Sequence, residues 1–129
     1  MALIVADTDV LIDYLRGGVG ASTKVENELR KGLGTTVVSA FELWAGSIGS
    51  KKRERVVGTL LDALRILPLE PAASRRAAEV RVGLSRKGRT IGMADSLIAG
   101  ICLHAGATLM TRNRKHFAGI DGLELLPCD

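Results

Sequence analysis

Short, continuous apolar stretches alternate along the chain with longer stretches in which apolar residues recur at helical spacing. A continuous apolar run is typical of a strand buried on both faces, whereas an apolar stripe with a charged opposite side is typical of a helix. Strands are therefore predicted at LIVAD (3–7), TTVVS (35–39), RILPLE (65–70), TLMT (108–111) and LELLP (123–127). Helices are predicted at 10–17, 21–31, 40–48, 51–64, 71–88 and 92–106, with a short helix or turn at 113–119.

This alternation of strands and helices predicts an α/β fold, in which helices cover both faces of a mainly parallel sheet. The 129 residues contain no repeat and no linker-like tract, so we expect a single domain over 1–129. The apolar stretches are too short to cross a bilayer, and Asp7 interrupts the first of them, which does not resemble a signal peptide. We therefore expect a cytoplasmic protein with no membrane partner.

Composition narrows the function classes. The formal net charge of +4 mildly favours a polyanionic partner. Only four aromatic residues are present, which is too few for a base-stacking platform, so a nucleic acid would be held through its phosphates. Cys102 and Cys128 lack the spacing of metal ligands, and Cys102 lies in an apolar helical pattern that is typical of a core thiol in a reducing compartment.

Acidic and amide side chains lie where the predicted strands end. Asp7 ends the first predicted strand, and Asp9 follows within one turn. Glu42 comes three residues after the second predicted strand, and Asn113 two residues after the fourth. Asp95 lies in the first turn of the helix that leads back into that fourth strand. Because ligands of parallel α/β sheets bind beyond the carboxyl ends of the strands, we expect these side chains to converge at one edge of the sheet.

Crowded carboxylates repel one another, by roughly 4 kcal/mol for a pair at about 4 Å in a surface-like dielectric. Either some of them take up protons or a cation holds them together. Oxygen ligands without a histidine or cysteine cluster favour Mg²⁺ or Mn²⁺. The sequence therefore predicts a divalent cation at this edge, with Asp7, Asp9, Glu42 and Asp95 as its ligands.

Each of these residues also has a structural interpretation. Asp7 and Asp9 could cap the helix that follows them, and Ser39-x-x-Glu42 matches a capping box. Asn113 could be a turn or cap residue. Asp95 is harder to explain in this way, because its helical face is otherwise apolar. Asp13 is expected to face solvent. The convergence of the group, more than any one member, supports the cation site.

Four segments follow one another in this order along the chain: DTDVLID, SAFELWAG, GMADSLIAG and TRNRKHF. In their order and spacing they resemble the PIN-domain ribonucleases, and most closely the VapC-type toxins of prokaryotic toxin–antitoxin pairs. The resemblance implies a PIN-like three-layer α/β/α fold around a central, mainly parallel sheet. It also implies that Asp7, Glu42 and Asp95 are the core acidic residues of a Mg²⁺- or Mn²⁺-dependent active site.

The fourth acidic position of the family is altered in this chain. It looks like Asn113, where many relatives carry Asp. Other relatives have Asn there, followed by an Asp-Phe pair, but the corresponding pair here is His116-Phe117. The fourth carboxylate is therefore missing at both places, and Asp9 is the candidate to replace it, with Asn113 kept among the catalytic residues.

The resemblance implies an endoribonuclease toxin that hydrolyses RNA phosphodiester bonds, forms a homodimer and is neutralised by a VapB-like antitoxin. Among the nearby cations, Arg112, Arg114 and Lys115 are the best placed to contact RNA, followed by the group Arg86, Lys87 and Arg89. His116 could contact a phosphate or assist proton transfer.

Two other function classes share features with this sequence. A haloacid dehalogenase-type phosphotransferase also uses Asp-x-Asp after its first strand, but it requires Thr or Val where this chain has Leu11. A catalytically weak PIN domain that binds RNA or protein remains the alternative, because the fourth carboxylate is missing.

Overall fold

Five short parallel strands form one sheet in the computed structural model, which describes residues 2–17 and 19–128. The strands are β1 (Ile4–Ala6), β2 (Gly34–Thr36), β3 (Arg65–Leu67), β4 (Thr108–Thr111) and β5 (Glu124–Pro127). Their order across the sheet is β3-β2-β1-β4-β5, and every neighbouring pair is parallel. After β1, the chain adds β2 and β3 on one side of it and then β4 and β5 on the other side. The carboxyl ends of β1 and β4 therefore flank the topological switch point, where ligands of such sheets bind.

Helices cover both faces of this sheet. They are α1 (Thr8–Leu15), α2 (Val19–Lys31), α3 (Val37–Ala45), α4 (Lys51–Asp62), α5 (Pro71–Arg86), α6 (Met93–Ala105) and α7 (Arg114–Phe117). Within the described residues, no helix combines the length and apolar character that crossing a membrane requires.

Two hydrophobic cores lie on opposite faces, because successive side chains of a strand point in opposite directions. Val5 and Leu109 belong to the core that α5 and α6 cover, whereas Ala6 and Met110 belong to the core formed with α1 to α4. The packing of α5 against α6 is close: a Cβ on Gly100 would lie only 2.6 Å from a backbone oxygen of α5. The predicted α/β fold with three layers is confirmed.

Several local predictions are also confirmed. The third strand is at an edge of the sheet, and Pro68 follows it directly, where a missing backbone donor does no harm. Helix α5 begins with Pro71 in its first turn. Cys102 is fully buried in the α5–α6 core.

The boundary between β2 and α3 was predicted wrongly. The β-branched run TTVVS predicts one strand, but the strand ends at Thr36 and the helix begins at Val37. Thr36 is the N-cap, since its hydroxyl accepts the backbone N–H of Ser39 at 3.0 Å. The proposed capping box at Ser39 is therefore wrong, and Glu42 lies in the middle of α3 instead of in its first turn.

Candidate active site at the carboxyl edge of the sheet

Asp7 lies between β1 and α1 and is held on both of its carboxylate oxygens. Oδ1 accepts the backbone N–H of Thr8 at 2.8 Å, which makes Asp7 the N-cap of α1. Oδ2 accepts the hydroxyl of Thr111, at the end of β4, at 2.9 Å. Only 4% of Asp7 is exposed to solvent. The carboxylate is thus fixed at the switch point between the two central strands.

The surroundings of Asp7 oppose its negative charge. Burial, followed by the nearby charges of Asp9 and Asp95, raises the pKa of Asp7 from 3.8 to about 7, although the hydrogen bonds from Thr111 and Thr8 act in the opposite direction. Asp7 is therefore close enough to Asp9 and Asp95 for their negative charges to oppose its ionisation. A cation among them would relieve both the desolvation and the repulsion.

Asp9 lies in the first turn of α1 and faces Asn113. The side-chain amide of Asn113 donates a hydrogen bond to Oδ2 of Asp9 at 2.7 Å. The other oxygen, Oδ1, is buried and has no hydrogen-bond partner among the described residues. A buried carboxylate oxygen without a partner is costly. It is the most direct indication that a positively charged group completes this site.

Asp95 lies in the first turn of α6 and contacts α7. Its Oδ2 is 3.2 Å from Nδ1 of His116, a distance that allows a hydrogen bond when the imidazole carries its proton on Nδ1. Both side chains are partly exposed. His116 therefore orients Asp95 and adds no negative charge to the site.

Glu42 reaches the same edge of the sheet from α3. The hydroxyl of Thr8 donates to Oε1 of Glu42 at 2.6 Å, and the hydroxyl of Ser39 is 2.8 Å from the same threonine oxygen. Because Thr8 also provides the N–H that Asp7 accepts, one residue connects Glu42 to the centre of the site. The prediction that Glu42 would point to this edge thus has structural support, although its helix begins earlier than expected.

The described residues contain no group of three or more His, Cys, Asp or Glu side chains that is already gathered as a metal site. Their oxygens are instead directed at Thr8, Thr111, Asn113 and His116. The donor set still fits a hard divalent cation: it is made of oxygens, it includes the unpartnered oxygen of Asp9, and its charges repel. Mg²⁺ and Mn²⁺ keep several waters, so direct contact with every carboxylate is not required.

Hydroxyl groups are the part of the site that sequence reasoning missed. Thr8, Ser39 and Thr111 are all buried at this edge, and they hold Asp7 and Glu42 in place. Their signal in the sequence was weak, because threonine is common in strands and at helix starts. Their position next to predicted carboxylates was the only available indication.

The three cations predicted to contact RNA differ in their surroundings. Arg112 forms an ion pair with Asp13 at 3.0 Å, and Asp13, which was expected to face solvent, is only 24% exposed. Arg114 and Lys115 are exposed, and their side chains make no hydrogen bond or ion pair with the described part of the chain. These two therefore remain available for a polyanion beside Asn113.

A groove of about 700 Å³ opens beside this edge of the sheet. It lies between α1, α3 and α4, and we call it the α1–α4 groove. Its lining is mainly apolar, with the cations Arg16, Lys52 and Arg53 among its members, and it includes Glu42. An elongated apolar segment lying in this groove would thus reach a residue of the candidate site.

Comparison with known proteins identifies the family. The family model described as "PIN domain" matches residues 4–123. The chain belongs to the PIN-domain family. This PIN domain is 34% identical over 123 residues to ribonuclease VapC10 of Mycobacterium tuberculosis, covering 95% of this chain and 91% of that protein. It is 28% identical over 127 residues to the tRNA(fMet)-specific endonuclease VapC of Shigella flexneri, covering 95% and 96%.

Solved structures agree with this assignment. The PIN domain superposes on VapBC2 from Rickettsia felis, bound to a DNA fragment from its promoter, with a TM-score of 0.87 and 26% identity over 98% of this chain and 99% of that one. DNA-bound VapBC from Salmonella typhimurium shares the fold with a TM-score of 0.88 and 24% identity, and the match covers 100% of both chains. The predicted family and fold are thus confirmed, and the PIN domain is a nuclease of the VapC type.

Proposed function

We propose that this PIN domain is an endoribonuclease toxin that hydrolyses RNA phosphodiester bonds with Mg²⁺ or Mn²⁺ and is neutralised by a VapB-like antitoxin. The observation that carries the metal dependence is the buried Oδ1 of Asp9, which has no hydrogen-bond partner among the described residues. It lies near Asp7, whose pKa is raised by burial and then by the charges of Asp9 and Asp95. Relatives named as ribonucleases support RNA as the substrate, and solved VapBC complexes support the antitoxin.

The residues that would hold the cation are Asp7, Asp9, Asp95 and Glu42, directly or through water. When bound, such an ion supplies neutralisation of charge on phosphate oxygens and activation of water. The contribution of this chain is to orient the ligands, since Asn113 holds Asp9 and His116 holds Asp95.

RNA would approach from the side of α7. The carboxylates repel phosphate until a cation neutralises them, so nearby positive charge is needed. Arg114 and Lys115 are exposed beside Asn113, and Arg112 contributes in spite of its pairing with Asp13. We place this activity in the cytoplasm, where RNA is present. Both cysteines are free and buried, as in proteins of a reducing compartment.

The antitoxin would occupy the α1–α4 groove. An apolar segment of the antitoxin would cover the groove, and an arginine at its end would reach the carboxylates past Glu42 in place of the cation. A homodimer would use another surface, the exposed apolar side of α3 that carries Val37, Phe41 and Trp44. Phe41 is 69% exposed, which is unusual for so large an apolar side chain.

The decisive experiment uses purified protein freed of antitoxin and a broad RNA panel that includes transfer and ribosomal RNA. We expect cleavage with Mg²⁺ or Mn²⁺ and none with EDTA. Asp95→Asn should lower the cleavage rate by more than about 100-fold, which exceeds the loss typical for a residue that only orients a metal ligand. Asp121→Asn, a change of the same kind at an exposed position, is the control. An intact RNA panel would contradict the proposal and favour a binding module.

A further inference from the structure

We propose that Arg89 is a positioning residue of the active site, because it anchors the carboxyl end of α7 and thereby holds Asn113 and His116 against Asp9 and Asp95. The inference rests on the proposed nuclease function and deepens it. It also changes the role expected for Arg89, which the sequence placed among the cations that could contact RNA.

The guanidinium of Arg89 is directed at backbone carbonyls. Arg89 lies in the loop between α5 and α6, where its own N–H donates to the carbonyl of Leu84 at 2.9 Å. Nη2 donates to the carbonyl of Lys115 at 2.9 Å, and Nη1 donates to that of Ala118. Two donors in one rigid plane fix the position of the segment that accepts them.

The neighbouring Lys87 supports the same segment. Its Nζ donates to the carbonyl of Gly119 at 3.3 Å. The loop after α5 therefore donates to three carbonyls, one inside α7 (Lys115) and two in the turn that follows it (Ala118 and Gly119). Both cations are thus engaged by the protein itself, and Arg89 is the more buried of the two.

Helix α7 needs such an anchor because it is too short to be stable alone. It has four residues, and a single helical turn does not repay the cost of its nucleation. Asn113, at its N-cap position, makes no side-chain capping bond, because its amide is directed at Asp9. Phe117, which is 2% exposed, is the only buried residue of α7 and packs into the core that α5 and α6 cover. Arg89 holds the carboxyl end.

Gly119 forms the turn that follows α7 and lies beside Arg89. Its φ is +82°, a conformation that other residues rarely adopt. A Cβ at this position would also lie 2.8 Å from Nη1 of Arg89. The positive φ of Gly119 thus allows the tight turn in which the Ala118 carbonyl accepts from Arg89.

Small movements of α7 would be costly for catalysis. Asn113 immediately precedes this helix and His116 is part of it, and they contact two different carboxylates of the site. A misplacement of about 1 Å far from the reacting atoms can lower a rate about 100-fold. Arg89 would therefore affect turnover without touching RNA or cation.

The test compares Arg89→Gln, which removes the charge and one or both bonds, with Arg89→Lys, which keeps the charge but not the planar pair of donors. Arg81→Gln is the matched control, because Arg81 is exposed on α5 and its side chain bonds to none of the described residues. We expect kcat for RNA to fall about tenfold to 100-fold in Arg89→Gln, with KM within about twofold. Arg89→Lys should recover it only partly, and Arg81→Gln should match the wild type.

A readout that does not depend on activity is available from the two histidines. In NMR spectra of the intact protein, the imidazole signals of His116 should shift or broaden in Arg89→Gln. Those of His104, which pairs with Glu70, should not change. If Arg89→Gln does not fold, the milder Arg89→Lys carries the same comparison.

A rise in KM at unchanged kcat, with unchanged His116 signals, would overturn the inference and make Arg89 an RNA contact. Inactive wild-type protein would instead contradict the nuclease function, while the His116 signals would still test the positioning role.

Discussion

Asn113 donates a hydrogen bond to Asp9 at 2.7 Å, which joins the N-cap position of α7 to the first turn of α1 across 104 positions of sequence. Because the amide is uncharged and donates to Asp9, it avoids the repulsion that a carboxylate at position 113 would cause. It also keeps Asp9 in the site, with its second oxygen turned to a buried position without a partner.

Asn113→Asp should therefore make the protein more dependent on metal. Two carboxylates at this distance repel, so the melting temperature of the metal-free protein should fall, while the affinity for Mn²⁺ should rise by about tenfold. Thermal unfolding with EDTA and with Mn²⁺ measures both effects. Asn27→Asp, on the exposed side of α2, adds the same charge beside the cation Arg30 and should neither lower the melting temperature nor raise the Mn²⁺ affinity. Equal behaviour of the two variants would exclude this role of Asn113.

The raised pKa of Asp7 predicts a pH dependence of stability without metal. The folded protein holds this proton up to about pH 7, whereas the unfolded chain releases it near 3.8. Between these values the folded state binds more protons, so the free energy of unfolding should decrease as pH rises through this window. Urea denaturation in EDTA should show this decrease in the wild type and a smaller one in Asp7→Asn.

Asp7→Asn should also separate stability from activity. Above about pH 7 the variant should be more stable than the metal-free wild type, because a buried charge is removed, yet it should not cleave RNA. If the two proteins showed the same pH dependence, Asp7 would not be the group that titrates.

Thr8 connects Glu42 to the rest of the site, so its hydroxyl should matter more than its size. Thr8→Val keeps the shape and the backbone cap of Asp7 but removes the donor to Glu42. We expect RNA cleavage to fall about tenfold to 100-fold, as for other residues that orient a metal ligand. Thr59→Val, which removes an exposed hydroxyl from α4, is the control. Unchanged cleavage in Thr8→Val would show that Glu42 needs no such support.

The α1–α4 groove predicts where the antitoxin binds. Val56 lines the groove and is 43% exposed, and Val82, on α5, is 48% exposed outside it. Val56→Asp should weaken the complex with the cognate antitoxin without slowing RNA cleavage, whereas Val82→Asp should leave the complex intact. Calorimetric titration of each variant with that antitoxin measures the difference. Equal affinities would place the antitoxin elsewhere.

Much of the fold was predictable because apolar patterning reflects burial. The continuous runs located the central strands, and the alternation with helices indicated the parallel sheet. The β2–α3 boundary was not predictable in this way, since Val37 and Val38 have the residue type of a strand but follow the N-cap Thr36. The hydroxyl of Thr36, which caps α3, determines where the helix begins, in spite of the strand propensity of the two valines.

The site was predictable as far as it depends on strand ends. Asp7 and Asp95 follow from topology, because a helix that returns to a parallel strand must begin at the carboxyl edge. The role of Arg89 did not follow, since its partners are backbone carbonyls 26 and 29 residues away, and carbonyls have no signature in a sequence. The sequence therefore does not distinguish a cation that contacts RNA from one that binds the protein's own carbonyls.

The most direct test is a crystal of the antitoxin-free protein soaked in Mn²⁺ and measured for anomalous scattering. The account predicts a peak between Asp7, Asp9 and Asp95, with Glu42 reaching it directly or through water, and loss of that peak in Asp95→Asn. A peak elsewhere, or none at a concentration that supports RNA cleavage, would contradict it.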